Sequence, residues 1–184
     1  DTRLSRGLGD VYKRQRAGNE AQWDPNAGIV DLEKVEGLDA LVHLAGESIA
    51  GGRWSDAFKT KVFESRVSST RHLLESCRKM KSPPRQFLGA SAVGIYGAQR
   101  IDPCPEDAEP GTDFLAHVCK HWELEAKKAE DLGMRVSIAR FGVVLSPRGG
   151  ALKKMMLPFQ MGVGGALGDG KQWMSWVSLS DAVY

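Results

Sequence analysis

The 184-residue sequence is poor in cysteine. Its three cysteines, Cys77, Cys104 and Cys119, stand too far apart for a CxxC pair or a metal-ligand cluster. That spacing excludes a disulfide-framed secreted domain and a cysteine metal site. It suits buried thiols in a reducing compartment, so a cytoplasmic location, or the stroma or matrix of an organelle, is expected. No apolar run approaches the roughly 18–20 residues of a membrane-spanning helix. A dominant charge is missing too: 25 Lys and Arg against 23 Asp and Glu leave a net charge of +2. Neither nucleic acid nor an anionic membrane is therefore an expected partner. The sequence also has no internal repeat or low-complexity segment. What is there, 42% hydrophobic and 26% charged, is the composition of a globular domain with its own core. Glycine is plentiful at 21 residues, and eight of these fall between Gly142 and Gly170.

The first fifteen residues, DTRLSRGLGDVYKRQ, carry Arg3, Arg6, Lys13 and Arg14 but no apolar periodicity. They read as a non-native, adapter-like arm; a basic targeting arm is the alternative, and without an apolar h-region the stretch is not a signal peptide. Residues 16–184 are expected to form one domain, incomplete at both ends, since Asp181-Ala-Val-Tyr184 reads as the first turn of a helix.

Ala40 to Ala45 is a short apolar run that predicts a buried strand. Ser55 suits a helix N-cap, and Phe58, Val62, Val67, Thr70, Leu74 and Cys77 predict one helix of about six turns, stopped by Pro83 and Pro84. Gln86–Val93 predicts a second strand. After a proline-rich loop, Asp113 is the next N-cap. The helix that follows sets Leu115, Val118, Cys119, Trp122 and Ala126 on one face and a Glu123–Lys127 pair on the other. Gly133 suits its C-terminal stop, and Met134–Arg140 predicts a third strand. Strands alternating with helices indicate an α/β fold, a parallel sheet with flanking helices. Ligands of such sheets gather at the carboxyl ends of the strands. By that rule Leu44–Glu47, Ser91–Tyr96 and Arg140–Val144 share one edge.

The segments HLAGESIAGGRW, SRVSSTRHLLESC, SAVGIYG, FLAHVCKHWE, RFGVVLSPRGGAL and LPFQMGVGGALGDGKQWMSW occur in that order over Trp23–Tyr184. Together they resemble the extended short-chain dehydrogenase/reductases, and within them the epimerase family proteins, some of which carry a cell division inhibitor label. The resemblance implies a Rossmann-type domain for NADP or NAD, running into the start of a substrate-binding region. It also implies a phosphate-binding glycine motif upstream of Arg16, so weak or no dinucleotide binding is expected of the chain as given. Leu44, Ala45, Gly46 and Glu47 match the turn that lies against the dinucleotide, and Arg140, Phe141, Gly142 and Val143 the strand end on the nicotinamide side. Ser91 matches the catalytic serine or threonine. Each assignment has a plainer alternative: a tight turn at Ala45–Gly46, a locally satisfied serine at Ser91, a structural ion pair at Arg140. Arg66 stands where many members have asparagine, so that role is not carried over. His43 is expected in the core, as are Trp173 and Trp176, although a tryptophan there also suits stacking on a ligand ring. Ser178 and Ser180 replace residues often histidine and aspartate in related sequences.

Members of the resembled family use a tyrosine and a lysine four residues apart on one helix, facing the cofactor. Counted back from Glu123, those places hold Leu115 and Cys119, so the pair is absent. Tyr96, close to Ser91 beyond a glycine break, is the candidate proton handler in its stead. Lys120 is turned about 100° away toward solvent, and Cys119 reads as a buried thiol. His117 and His121, at i and i+4, lack a third ligand, so no metal is expected. Two readings follow. One is an NAD(P)-dependent oxidoreductase or epimerase that acts on an unknown small molecule with an atypical active site, its catalytic residues Ser91 and Tyr96. The other is a dinucleotide-binding regulatory protein that has lost catalysis.

Overall fold

A computed structural model of the chain describes residues 21–29, 31–98, 102–166, 168–170 and 172–183. The basic arm at 1–15 lies outside them. Three strands, β3 (Ala40–His43), β4 (Gln86–Ala92) and β5 (Arg135–Phe141), form a parallel sheet in the order β3-β4-β5. They follow a small hairpin of β1 (Trp23–Asp24) and β2 (Gly28–Ile29). Helices α1 (Asp56–Glu64) and α2 (Val67–Arg78) connect β3 to β4, and α3 (Phe114–Lys127) connects β4 to β5. The rest comprises β6 (Val143–Leu145), α4 (Gly150–Gln160), β7 (Trp176–Ser178) and α5 (Leu179–Val183), with β6 and β7 paired in parallel. The α/β architecture with a parallel sheet is the expected one.

Both predicted caps form. Ser55 accepts from the Phe58 N–H, and Asp113 accepts from the Ala116 N–H through Oδ1 and the Ala98 N–H through Oδ2. Asp113 thus ties the start of α3 to the loop after β4. Asp113→Ala is expected to cost about 1–2 kcal/mol, read as a lower midpoint in urea melts with an unchanged slope. Gly133 closes the following 3-10 turn in the left-handed region, φ 75°, where only glycine is unstrained.

The core lies between the sheet and α2–α3. Leu73, Leu74, Cys77, Met80, Phe87, Ala126, Ala129 and Met134 form one cluster, and Val67, Ala90 and Trp122 a second. Trp122 donates from Nε1 to Thr70 Oγ1, which satisfies the buried indole. His43 is buried as expected, edge-on to Trp23.

Four expectations are corrected. The single six-turn helix is two helices, broken at Ser65–Arg66, because both side chains turn back onto the loop after β3. The strand predicted over Ala40–Ala45 ends at His43 and is buried less than expected, with Val42 exposed. Trp173 and Trp176 are not core residues: their relative exposures are 82% and 61%. Glu123 is not on the solvent face but is 6% exposed beneath β4 and β5. Cys77 and Cys119 are buried free thiols, while Cys104 is half-exposed. The Trp23–Ile29 hairpin is not among the expected elements, although its turn carries Pro25, Asn26 and Gly28. Its Gly28, φ 91°, lies so close to Ser76 and His72 of α2 that no side chain fits.

Candidate functional site

Parallel register brings the three predicted segments to one edge. Ser91 pairs with Arg140 and Ala92 with Phe141, while β3 ends beside Gly89 and runs out into Leu44–Glu47. Ser91 is the penultimate residue of β4, and the 3-10 turn Val93–Tyr96 follows it directly. Gly97 at φ 82° then turns the chain away, with its backbone against Gly111.

Ser91 and Tyr96 are brought together through one ion pair. The Ser91 hydroxyl donates to Glu123 Oε1 at 2.6 Å, and Arg140 grips both carboxylate oxygens, Nε to Oε1 at 2.8 Å and Nη2 to Oε2 at 2.9 Å. From its Nη1, Arg140 donates to the Tyr96 hydroxyl at 2.8 Å and to the Glu106 carbonyl. Its guanidinium also lies 5.3 Å from the Tyr96 ring centre. Burial pushes the Glu123 carboxyl up, but the hydrogen bonds from Arg140 and Ser91, with the Arg140 charge, outweigh it and hold the carboxyl below its usual range. The Glu123 carboxylate raises Arg140 in turn, against burial. Arg140 is thus occupied within the protein, and its alternative reading as a structural ion pair describes its contacts.

The turn after β3 is held from α1 and α2. The Glu47 N–H donates to Ser65 Oγ at 2.9 Å, and Arg66 Nη2 donates to the Glu47 carbonyl at 2.9 Å. Leu44 and Gly46 are exposed and Ala45 half-buried. A Cβ on Gly46 would come within 3.1 Å of the Arg66 guanidinium carbon, so this turn presents backbone where a side chain would crowd the arginine. At Gly142 the need for glycine has another cause: a Cβ would sit 2.8 Å from the Ser175 carbonyl oxygen, where the chain passes from β5 to β6.

Leu115 and Cys119 face this edge. A Cβ on Gly94 would lie 3.8 Å from Leu115 Cβ and 3.9 Å from Cys119 Sγ. Both side chains therefore pack under the turn that joins Ser91 to Tyr96. Burial pushes the Cys119 thiol up, against the smaller pull of the Ala92 N–H and Arg66, which makes it a poor nucleophile. Lys120 is exposed as expected. His117 stacks on Phe63 and His121 lies tilted against the same ring, and among the described residues no group of three His, Cys, Asp or Glu side chains is placed to hold a metal ion.

Sequence reasoning missed Glu123, although the signal was present: it follows Cys119 by four residues, on the buried face of α3. No periodicity marks Arg66, whose contacts with the Glu47 turn join elements far apart in sequence.

The sequence pattern of the NAD dependent epimerase/dehydratase family matches residues 10–184. The chain is 42% identical over 174 residues to the epimerase family protein Mb2239 of Mycobacterium bovis, covering 94% of this chain and 57% of that protein. Human epimerase family protein SDR39U1, solved with NADPH, superposes with a TM-score of 0.72 at 34% identity over 78% of this chain and 49% of its own. The nucleoside-diphosphate sugar epimerase of Corynebacterium glutamicum superposes at 0.70 with 39% identity, over 86% of this chain and 32% of its own. The chain spans about half the length of the curated relatives it matches. Among the described residues no helix is long and apolar enough to cross a membrane.

Proposed function

Because the chain belongs to the NAD dependent epimerase/dehydratase family, we propose that the complete protein is an NADP- or NAD-dependent oxidoreductase or epimerase whose active site works without the tyrosine–lysine pair. The observation that carries this is the junction of Ser91, Glu123, Arg140 and Tyr96 at the carboxyl edge of the sheet. The edge fits a dinucleotide: the Leu44–Glu47 turn offers open backbone at Ala45 and Gly46, and the Phe141–Val143 bend closes the other side. When bound, the dinucleotide supplies a nicotinamide that gives or takes a hydride.

The chain's own residues handle the proton. The Ser91 proton is committed to Glu123, so Ser91 Oγ offers its lone pairs and accepts from a substrate hydroxyl. Tyr96 is complementary: its oxygen accepts from Arg140, which leaves its own proton for transfer to a substrate oxygen. Glu123 and Arg140 touch neither substrate nor cofactor in this scheme and act as positioning residues. Because a nicotinamide exchanges hydride with a carbonyl or an alcohol, a small carbonyl or alcohol is the proposed substrate.

The second reading, a dinucleotide-binding regulator without catalysis, is favoured by Leu115, an aliphatic side chain, and Cys119, a thiol that burial pushes up, under the Ser91–Tyr96 turn. NADPH oxidation by the complete protein over a panel of ketones, aldehydes and nucleotide-activated keto sugars separates the two. The enzyme reading predicts turnover with at least one class. Saturable NADPH binding without turnover on any would favour the regulator.

A further inference from the structure

Trp54 and Phe114 join the starts of two helices at the carboxyl edge of the sheet. Trp54 immediately precedes Ser55, the N-cap of α1 after β3, and Phe114 is the first residue of α3 after β4. Their rings meet edge-on at 5.8 Å, and Trp54 meets Phe58 in the same way at 6.1 Å. Neither contact stacks a ring on the indole, which stays 45% exposed. Its Nε1–H donates to no group among the described residues. Phe114 is half-buried, with Lys59 Nζ over its ring at 6.0 Å, so Trp54 carries the more open aromatic surface. The loop that bears Trp54 is held at three points. The Gly51 N–H donates to the Ser48 carbonyl at 2.9 Å, Lys154 of α4 donates to the Ala50 carbonyl at 3.0 Å, and a Cβ on Gly52 would meet the Phe58 ring at 3.1 Å. Trp173 and Trp176 are more exposed, but among the described residues no ring contact fixes them.

We propose that Trp54 is a specificity-determining residue whose exposed indole lies against a flat apolar ring of the substrate. Its contacts lead toward the reacting groups. Phe114 is followed by Leu115, whose Cβ would lie 3.8 Å from a Cβ on Gly94, inside the turn that joins Ser91 to Tyr96. One flank of the edge is therefore apolar, Trp54 with Phe114 and Leu115, and the other is polar, Ser91 with Tyr96. A substrate that matches both puts its carbonyl or alcohol oxygen at Ser91 and Tyr96 and its ring beside Trp54. Tryptophan suits that place because it offers a large planar face and an N–H for an acceptor on the ring's substituents. An indole already fixed by its neighbours loses little further freedom when a ligand stacks on it. The inference rests on the enzyme reading above and names its substrate class, a carbonyl or alcohol that bears a ring.

The test uses three probes with the same vicinal dicarbonyl: diacetyl, acetylbenzoyl, which has a phenyl in place of one methyl, and the cyclohexyl analogue of acetylbenzoyl. Their affinities for the complete protein are measured by saturation-transfer NMR with oxidised NADP present, which cannot reduce a diketone. The unsubstituted protein should prefer the ring-bearing probes to diacetyl. Trp54→Ala should lower that preference by about fivefold to tenfold while diacetyl affinity stays within about twofold. Trp54→Phe, which keeps an aromatic face, should restore most of it. Preference for phenyl alone identifies an aromatic ring as the ligand, and equal preference for cyclohexyl extends it to the C–H face of a saturated ring. No preference in the unsubstituted protein, or one unchanged in Trp54→Ala, overturns the proposal, as does an equal loss for all three probes. If Trp54→Ala does not fold, Trp54→Leu, apolar but not planar, is read by the same criteria. NADPH-dependent turnover is scored separately. Its absence on every probe and substrate class, with ring preference lost in Trp54→Ala, sinks the enzyme reading and leaves the ring site standing; turnover with an unchanged preference does the reverse.

Discussion

Ser91→Ala is expected to lower turnover of the complete protein by about 100-fold or more, the usual scale for losing one well-placed catalytic hydrogen-bonding group. NADPH affinity should stay within about twofold. The split follows from geometry: Ser91 Oγ sits at the end of β4, 3% exposed, where it donates to Glu123 at 2.6 Å and lies against the Cys119 thiol. Removing the hydroxyl leaves the bidentate Arg140–Glu123 pair intact, so the sheet edge and its turns should persist. Steady-state kinetics beside a fluorescence titration checks both halves. A variant that loses turnover and affinity together would make Ser91 a structural residue. Tyr96→Phe should reduce kcat as well, while keeping the ring that lies against the Arg140 guanidinium.

The second large effect concerns stability. Glu123→Ala leaves the Arg140 guanidinium without its acid, and breaking a buried pair by removing one partner costs about 3–5 kcal/mol. Arg140 keeps a quarter of its side chain exposed, which puts the expectation near about 3 kcal/mol, or a drop of roughly 6–12 °C in melting midpoint for a domain of this size. Its pH dependence has a definite sign. Glu123 is held below its ordinary value in the fold, so the stability it contributes is fully present above the unfolded carboxyl value, about 4.3. That contribution is lost as pH falls through the folded value. The gap in midpoint between the unsubstituted protein and Glu123→Ala should therefore be constant from neutral pH down to about 5 and narrow below about 4. Glu125, held low by Arg71 and Lys128 against burial, remains in both proteins and drops out of the difference.

The sheet was legible because its strands are apolar, short and bounded by breakers, and because Ser55, Asp113 and Gly133 are residues whose side chains or backbone freedom end helices. The three strand ends of the site followed from the parallel order alone. Packing inside the site was not legible in the same way. The charge of Glu123 suggests a solvent face, whereas its i+4 relation to Cys119 fixes it on the inner face. The break at Arg66 was hidden because Val62, Val67 and Thr70 fit one helical stripe; what splits the helix is a pair of hydrogen bonds with Glu47, nearly twenty residues earlier, whose N–H donates to Ser65 and whose carbonyl accepts from Arg66. Trp173 and Trp176 read as core by composition, yet their burial depends on what packs beside β7 and the glycine-rich loop, which residue type does not encode.

The central claim is that the carboxyl edge of the parallel sheet carries the dinucleotide. Backbone hydrogen–deuterium exchange of the complete protein with and without saturating NADPH tests it residue by residue. Exchange should slow at residues 44–47, 91–97 and 140–144 and stay unchanged at the opposite edge, around Gly37–Leu41 and Arg85–Phe87. Protection confined to other segments, or no change anywhere at NADPH concentrations that saturate the human relative, would contradict the claim.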